Sequence, residues 1–407
     1  MNKEAPKGWK TYKLKELYDI RRGGSPRPIE KFLTTDQDGI NWIKIGDAKI
    51  GSKYIEETKE KITTEGAAKS RFVEEGDFIL SNSMSFGRPY IMKTRGCIHY
   101  GWLVLKEKQD GLIYKDFMYY ILSSENVYSQ FKNAAAGGVV SNLNIQRVEN
   151  VIVPIPPTLA EQQEIVQVLD TMSDIIRLRE ECISHAQDLI PALFQEMFGD
   201  INNNVTKSNI VRFRDCIELN PVKPNLKDNL NVTFLGMKDI SENGQVDLST
   251  IKMYEEVKKG FTNFENEDVL LAKITPCFEN GKAAIVRNLI NGYGFGSTEF
   301  YVLRPHQKLI LPEYVYSIIK SHSFAEPGKY KMAGAAGQKR LPKEYVLNYK
   351  FPLPSIEMQE RFAEKVREIN SYIEEQQEEL KNTKQMFQSL LHHAFTGELT
   401  RRAYGEN

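Results

Sequence analysis

The chain has 407 residues, of which 41% are apolar and 27% are charged, and its mean hydropathy is −0.45. This length corresponds to roughly two to four domains, and no uninterrupted apolar run reaches the roughly 18 residues of a membrane span. The first residues also lack the apolar segment of a signal peptide, so we expect a cytoplasmic protein with no membrane partner. The four cysteines form no C-x-x-C pair, which argues against a disulfide framework and a zinc ribbon.

The net charge of zero results from basic and acidic segments that cancel. Lys and Arg outnumber Asp and Glu by 24 to 19 in residues 1–157 and by 21 to 16 in residues 201–355. Acidic residues are in excess by 9 to 2 in residues 158–200 and by 10 to 7 in residues 356–407. These segments are interpreted as a first lobe (1–157), a central helix (158–200), a second lobe (201–355), and a C-terminal helix with a tail (356–407).

The first lobe has the pattern of a compact α+β domain. Short β-like runs at residues 40–45, 77–82, 89–92 and 101–105 are separated by Gly, Pro and Asn. A helical pattern follows at residues 114–123. The sequence therefore predicts a mixed domain of about 150 residues, which is long enough for its own core.

A long helix is predicted from residue 158, where Thr158 and Glu161 have the spacing of a capping box. Apolar residues then recur at seven-residue steps, and the pattern returns 197 residues later. This spacing keeps an apolar stripe toward a long partner, so we expect the two helices to pair. The polar residues at the central step, Arg179 and Gln376, either fix the register or lie at a solvated edge. The predicted packing residues are Ile165, Leu169, Met172, Ile176, Ile183 and Leu193 in the first helix, and Phe362, Val366, Ile369, Ile373, Leu380 and Leu390 in the second.

The second lobe repeats the first. The tetrapeptide VPIP at residues 153–156 recurs as FPLP at 351–354, and WLVL at 102–105 recurs as FYVL at 300–303, both at an offset of 198. A helix is again predicted near the end of the lobe, at residues 312–321. The sequence thus predicts two similar α+β domains, each followed by a long helix.

We find no catalytic signature in the sequence. It has no GxxxxGK[ST] loop, no Asn-Pro-Pro-aromatic tetrapeptide and no nucleophile-elbow serine motif. The glycine-rich residues 292–296 are interpreted as a flexible turn, because no convincing strand precedes them as a cofactor loop requires. Cys182 and His185 could bind a metal, but they lie on the heptad helix without a second ligand pair, so helix packing is favoured. We expect no catalytic residue, metal or cofactor in this chain.

Basic residues lie among Gly, Pro, Asn and aromatic residues in both lobes. Residues 21–28 read RRGGSPRP, and the loops at 82–88 and 273–282 occupy corresponding places in the two copies. Guanidinium and ammonium groups in such loops can contact phosphates and base edges, although a solvated surface is the alternative for any single residue. The candidates for DNA binding are Arg21, Arg22, Arg27, Lys44, Asn82 and Arg88 in the first lobe, and Lys238, Lys273, Lys282, Gln338, Lys339 and Arg340 in the second.

Taken in order, these motifs resemble the specificity (S) subunit of type I restriction-modification systems. The matching stretches are PKGW at 6–9, WIKIGD at 42–47, EGDFIL at 75–80 with GR at 87–88, PIPP at 154–157 with EQ at 161–162, and AFTGEL at 394–399. They span nearly the whole chain. The second copy departs from the family pattern at residues 355–359, which read SIEMQ, and at residues 209–219, which lack Gly-Trp.

The resemblance implies two target recognition domains in a pseudo-twofold arrangement, each reading one half of a split sequence in double-stranded DNA. Two long antiparallel helices would separate them as a coiled-coil spacer and bind two methyltransferase (M) subunits. S-adenosylmethionine would bind those partners, and endonuclease/translocase (R) subunits would join the complex. This chain would then be non-catalytic. The alternatives are a stand-alone DNA-modifying enzyme, either a nuclease or a methyltransferase, and a coiled-coil protein scaffold.

Overall fold

The computed structural model describes residues 8–49, 51–82, 87–135, 143–201, 209–335 and 337–396. Within these ranges, no helix combines the length and the apolar character that a membrane crossing requires. The chain divides into two compact units, Met1–Arg179 with Glu379–Asn407, and Glu180–Glu378. Each unit consists of one lobe and about half of each long helix. The unit boundaries therefore lie within the long helices and differ from the four segments predicted from the sequence.

The described residues of the first lobe form two mixed sheets, a separate strand pair and short helices. The sheets have the strand orders β3-β6-β4-β10-β7 and β2-β11-β8-β9-β5, and β1 pairs with β12. The strands are β1 (Lys10–Lys13), β2 (Tyr18–Arg22), β3 (Leu33–Thr34), β4 (Ile40–Ile43), β5 (Tyr54–Ile55), β6 (Glu60–Ile62), β7 (Arg71–Val73), β8 (Phe78–Ser81), β9 (Pro89–Met92), β10 (Gly96–Ile98), β11 (Trp102–Glu107) and β12 (Ile152–Ile155). The helices are α1 (Leu14–Leu17), α2 (Thr64–Ala68), α3 (Lys115–Ser123), α4 (Glu125–Ala135) and α5 (Ile145–Glu149), and the long helix α6 (Leu159–Phe198) follows them.

The sheet that contains β8 and β11 is buried on both faces. Successive side chains of a strand point to opposite faces of its sheet. Phe78 and Leu80 of β8 accordingly share a core with Phe117 of α3, whereas Ile79 between them shares a core with Ile43 of β4 in the other sheet. The first lobe is therefore layered as a sheet, a second sheet and helices.

The second lobe repeats this layering. Val269 of β18 shares a core with Tyr314 of α9, and Leu270 beside it shares a core with Phe264 of β17. Its sheets have the orders β14-β21-β18-β19 and β16-β15-β20-β17, and β13 pairs with β22. The strands are β13 (Ile210–Arg212), β14 (Ile217–Leu219), β15 (Asn231–Leu235), β16 (Ile251–Met253), β17 (Thr262–Glu265), β18 (Val269–Ala272), β19 (Ala283–Ile285), β20 (Tyr293–Gly296), β21 (Phe300–Pro305) and β22 (Lys350–Pro352). The helices are α7 (Phe213–Cys216), α8 (Tyr254–Val257), α9 (Pro312–Lys320), α10 (His322–Lys331) and α11 (Lys343–Asn348), and the long helix α12 (Ile356–Phe395) follows them.

The expectation of a flexible turn at residues 292–296 is wrong, because most of this stretch forms strand β20. The strand pairs in parallel with β15 and antiparallel with β17. A Cβ atom on Gly294 would lie 2.0 Å from the ring of Phe264, and one on Gly296 would lie 2.2 Å from the carbonyl oxygen of Leu235. These glycines therefore permit close packing inside a sheet, which a local turn signal does not distinguish.

The segments of α6 and α12 in the first unit are antiparallel. Ile165, near the start of α6, shares a core with Leu391, near the end of α12. Farther along α6, Arg179 forms an ion pair with Glu379, which lies earlier in α12. At the start of α6 one half of the predicted capping box is shown, since the hydroxyl of Thr158 accepts a hydrogen bond from the backbone N–H of Glu161 at 3.2 Å. The carboxylate of Glu161 accepts a hydrogen bond from the same hydroxyl at 3.4 Å.

The segments of these helices in the second unit have the same antiparallel order. The Sγ of Cys182 lies 3.2 Å from the hydroxyl of Tyr372, and the ring centroids of Phe194 and Phe362 are 5.6 Å apart. Positions that rise along α6 thus meet positions that fall along α12. Both helices have 40 residues, and every element bound of one lies 197 residues from that of the other.

The stripe residues predicted from the seven-residue spacing pack against the lobes as well as against the opposite helix. Ile165 and Leu169 belong to the core of the first lobe, and Phe362 and Val366 belong to that of the second. The buried members of the stripe are Ile165, Leu169, Ile183, Phe362, Val366 and Ile373, and the half-buried members are Met172, Ile176, Leu193, Ile369, Leu380 and Leu390.

Candidate nucleic-acid interface

In the first lobe, the turn between β10 and β11 (residues 99–101) is the centre of several loops. The segment that follows β2 is tied to it by hydrogen bonds from Gly23 N to the carbonyl of Trp102 at 2.9 Å and from Gly24 N to the carbonyl of Ile98 at 3.1 Å. The hydroxyl of Ser25 accepts a hydrogen bond from Tyr100 N at 3.3 Å. The RRGGSPRP segment therefore lies against this turn.

Two further loops meet the same turn. The backbone N–H of Ile45 donates to Nε2 of His99 at 3.2 Å, which places Lys44 beside it. The backbone N–H of Asn82 donates to the carbonyl of Gly101 at 2.8 Å. The structure thus brings together, at one end of the lobe, segments that are up to 80 residues apart in the sequence.

A loop near the end of the first lobe also belongs to this group. The guanidinium of Arg22 donates to the carbonyl of Leu143 at 3.0 Å, and Leu143 N donates to the carbonyl of Asn82 at 3.1 Å. A surface pocket is lined here by Arg22 and by residues 143–146.

The predicted residues of the first lobe differ in exposure. Asn82 is only 3% exposed, so its side chain is not presented to a ligand in this structure. Lys44 is half-buried and pairs with Glu60, and the exposed Arg21 forms an ion pair with Asp19 at 2.7 Å. The exposed members of the set are Arg21, Arg22, Arg27 and Arg88.

The turn between β20 and β21 (residues 297–299) occupies the equivalent place in the second lobe. Ser297 N donates to the carbonyl of Leu235 at 3.1 Å, and Lys273 N donates to the carbonyl of Glu299 at 2.9 Å. The carboxylate of Glu299 accepts two hydrogen bonds from Arg340, from Nη2 at 2.7 Å and from Nε at 2.9 Å. Distant segments therefore converge on the same turn in both lobes.

The remaining predicted residues of the second lobe lie in the loops around this turn. The ammonium of Lys282 donates to the carbonyl of Met237 at 2.8 Å, and Thr275 N donates to the carbonyl of Lys339 at 3.0 Å. Lys273 and Lys282 are half-buried, whereas Lys238, Gln338, Lys339 and Arg340 are exposed.

The two lobes also share the short helical turn beside the site. In the first lobe, the carboxylate of Asp47 accepts a hydrogen bond from Lys44 N at 2.8 Å. In the second, the carboxylate of Asp239 accepts one from Gly236 N at 2.7 Å. The same side-chain cap therefore fixes the loop after β4 and the loop after β15, the loops that carry Lys44 and Lys238.

Burial and hydrogen bonding shift the pKa values of three groups at these loops. Burial lowers the pKa of Lys273, whose ammonium lies 5.0 Å from the centre of the Tyr301 ring. The hydrogen bonds from Arg340 lower the pKa of Glu299. Burial also lowers the pKa of His99, and the charge of Lys44 adds to this shift. The exposed cations are therefore the groups best placed to meet an anionic ligand.

Tyr100, which is not among the residues predicted from the sequence, lies in the turn at residues 99–101. Tyr100 is 59% exposed. An exposed ring beside cationic loops can stack on a base or contact a groove edge. The available signal was the tripeptide at residues 99–101, directly before a strongly apolar strand.

The site contains groups suited to binding an anion. In the part of the chain that the structure describes, no group of three or more His, Cys, Asp or Glu residues could hold a metal ion. Exposed guanidinium and ammonium groups with backbone loops can neutralise phosphates and read base edges.

Among curated proteins, the chain is similar to the type I restriction enzyme EcoAI specificity subunit of Escherichia coli, with 40% identity over 156 residues. The match covers 38% of this chain and 26% of the relative, so the chain spans about a quarter of that relative's length. This match is therefore limited to one part of the chain.

Two solved structures are similar over nearly the whole chain. A chain from a solved structure of the type I R-M system, described for complex assembly and conformational transition, has 16% identity and a TM-score of 0.59, and the match covers 97% of this chain and 100% of that chain. The S subunit of a type I restriction-modification system from M. genitalium has 14% identity and a TM-score of 0.51, with 97% of each chain covered. These structures have the same fold.

A family model for the type I restriction modification DNA specificity domain matches residues 6–185 and again residues 210–382. The two matches correspond to the two lobes, each with part of the long helix that follows it. The chain therefore belongs to the family of type I restriction modification DNA specificity domains.

Proposed function

We propose that this chain is the non-catalytic DNA-specificity subunit of a type I restriction-modification complex, in which each lobe reads one half of a bipartite target in double-stranded DNA. The observation that carries the proposal is the repeated site: in both lobes, separate loops with exposed cations converge on one turn, which precedes β11 in the first lobe and β21 in the second. Such loops can neutralise phosphates and leave other side chains to contact base edges.

The long helices are proposed to set the gap between the two half-sites. A helix of 40 residues is about 60 Å long at 1.5 Å per residue, which compares with about 17 base pairs of duplex. The acidic excess of these segments keeps them from competing for the phosphates.

The same helices are proposed to dock two methyltransferase subunits. In the first unit, Val168, Ile175 and Leu178 of α6 are 42%, 37% and 54% exposed, so apolar surface is available for a partner helix. S-adenosylmethionine would bind those methyltransferase partners, and endonuclease/translocase subunits would join them, which assigns catalysis to other chains.

The proposal is tested by mapping adenine methylation in cells with the methyltransferase partner, with and without this chain. The expected result is methylation of one bipartite sequence only when the chain is present. Replacement of residues 1–157 by the same lobe of a relative should change one half of that sequence. A change in both halves, or methylation by the purified chain alone, would contradict the proposal.

A matched pair of arginines localises the contact within the first lobe. Arg88 and Arg95 are both exposed and lie at opposite ends of strand β9. Arg88→Ala should weaken binding to target DNA and lower its salt dependence, because a phosphate contact is lost. Arg95→Ala should leave both unchanged. Equal effects of the two substitutions would exclude a specific contact at Arg88, and DNA binding that does not respond to salt would favour a protein scaffold over a DNA reader.

The gap is tested by lengthening both helices together. Insertion of seven residues after Arg179 and seven before Glu379 keeps the heptad pattern and the antiparallel pairing of these residues. It adds about 10 Å, so the preferred gap should grow by about 3 base pairs. An unchanged gap would show that the helices do not set it.

A further inference from the structure

A polar cluster joins the first lobe to α6. The ammonium of Lys53, directly before β5, lies 2.7 Å from the carboxylate of Asp170 on α6 and 3.3 Å from that of Asp116 on α3. The hydroxyl of Tyr120 donates to Asp170 at 2.5 Å, and that of Tyr54 donates to Asp116 at 3.0 Å. Lys53 is only 16% exposed, so its charge is neutralised mainly by these two carboxylates.

The second lobe meets α12 through a cluster of opposite polarity. The carboxylate of Glu313 on α9 is 2% exposed and lies 2.7 Å from the guanidinium of Arg287, which follows β19. It also lies 3.2 Å from the guanidinium of Arg367 on α12. Glu267 accepts further hydrogen bonds from Arg287, so this arginine joins two carboxylates.

Two residues of each cluster, one on the lobe helix and one on the long helix, occupy equivalent positions. Helices α3 and α9 each have nine residues and are offset by 197, as are α6 and α12. At this offset, Asp116 corresponds to Glu313 and Asp170 corresponds to Arg367 in the sequence. The lobe position therefore keeps its negative charge, whereas the position on the long helix changes from negative to positive.

We propose that these clusters are positioning sites that orient each lobe on its own long helix, and that the reversed charge on the helix makes the two positions non-interchangeable. A first lobe placed on α12 would bring the largely buried ammonium of Lys53 close to the guanidinium of Arg367, and the two positive charges would repel each other. When each lobe lies on its own long helix, Lys53 is paired with Asp170, and Glu313 is paired with Arg367. The effect on half-site spacing rests on the proposed DNA-reading function, whereas the positioning itself does not.

The first experiment measures thermal unfolding of the full chain without DNA. Asp170→Arg should lower the unfolding midpoint by several degrees, because it places a cation beside Lys53. The matched control is Asp174→Arg, one helical turn away. The carboxylate of Asp174 is exposed and lies 3.3 Å from the guanidinium of Arg177 on the helix surface, so this substitution should have little effect. The double variant Lys53→Gln with Asp170→Arg should regain most of the loss, because it leaves Asp116 to pair with the new arginine as Glu313 does with Arg367. Equal midpoints for Asp170→Arg and Asp174→Arg, or no recovery in the double variant, would overturn the proposal.

The second experiment tests whether the two positions can be exchanged. The test uses a chimera in which a second copy of residues 8–157 replaces residues 209–354, so that the first lobe is followed by α12 as well as by α6. The chimera with Arg367→Asp should unfold at a higher temperature than the chimera that retains Arg367. The control Arg361→Asp makes the same charge change at an exposed site of the same helix and should not help. If the two forms unfold together, or if neither folds, charge does not distinguish the positions.

The third measurement links positioning to half-site spacing. Asp170→Asn removes the charge without introducing repulsion, and it should broaden the range of gaps tolerated in DNA binding while the bases preferred in each half-site stay the same. An unchanged gap range would contradict the role in spacing. If no variant binds a bipartite target, the proposed DNA-reading function fails, and the unfolding results still decide the positioning proposal.

Discussion

Replacement of Gly23 with alanine should displace the cationic segment of the first lobe. A Cβ atom at this position would lie 2.1 Å from the carbonyl oxygen of His99, whereas real Cβ contacts are essentially never shorter than 3.0 Å. The obstacle is backbone, so one of the two segments must move by about 0.9 Å, the difference between these distances. Such overpacking costs about 1–3 kcal/mol, and the hydrogen bond from Gly23 to Trp102 contributes about 1 kcal/mol more if it breaks. The expected loss of stability is about 2–4 kcal/mol, or roughly 5–10 °C in the unfolding midpoint.

Thermal unfolding and a competition assay on DNA measure this effect. Gly46→Ala is the matched control, because Gly46 lies in an adjacent loop and no described atom lies within 4 Å of a Cβ there. The control should change stability by less than about 0.5 kcal/mol. Gly23→Ala should weaken discrimination at one half-site and leave the other unchanged, since only the first lobe is affected. The argument is refuted if the two alanine variants have the same midpoint and the same DNA selectivity.

Three further predictions concern pH, packing and charge. Burial lowers the pKa of His99 below its ordinary value of 6.5, so the unfolded chain takes up a proton at this residue before the folded chain does. The free energy of unfolding should therefore decrease as pH falls through 6.5 and should not depend on this group at higher pH. His99→Gln should reduce this pH dependence in unfolding measured from pH 8 to pH 5.5, and an identical pH dependence would contradict the assignment. Leu169→Ala should destabilise the first unit by about 2–5 kcal/mol because Leu169 is 0% exposed, whereas Val168→Ala, at a residue 42% exposed, should cost less than about 0.5 kcal/mol, as denaturant unfolding can show. Lys339→Ala should reduce the slope of log affinity against log salt by about 1, and Lys343→Ala, exposed on α11, should leave it unchanged; equal slopes would exclude Lys339 as a phosphate contact.

Local sequence patterns predicted the secondary structure well. The predicted helices at 158–200, 114–123 and 312–321 correspond to α6 (Leu159–Phe198), α3 (Lys115–Ser123) and α9 (Pro312–Lys320). The periodicity of apolar residues and the helix caps are local signals, so a single chain segment contains all that is needed. Strand β9 (Pro89–Met92) was also predicted in full, from a short β-like run next to residues that break strands.

Contacts between distant segments were not predictable in this way. The VPIP stretch was interpreted as a repeat marker and, in part, as a family motif, but not as a strand; it forms β12, whose Val153 pairs with Tyr12 of β1 more than 140 residues earlier. Asn82 was predicted at a surface loop and is buried, because its segment lies between Gly101 and Leu143. Pairings of this kind depend on loop closure over long distances, which no spacing rule encodes. The DNA contacts of the individual basic residues stay predictions.

The two compact units differ in how continuous they are along the chain, and therefore in when the ribosome completes them. The second unit is one continuous stretch, Glu180–Glu378, whereas the first combines Met1–Arg179 with residues from Glu379 onward. Leu391, Ala394 and Phe395 are buried in the core of the first lobe, and the ribosome adds them long after it has made that lobe. During translation, the core of the first lobe therefore stays incomplete until the end of α12 has been made, whereas every residue of the second unit is already present by then. A premature stop codon near residue 379 would consequently damage the earlier lobe and spare the later one.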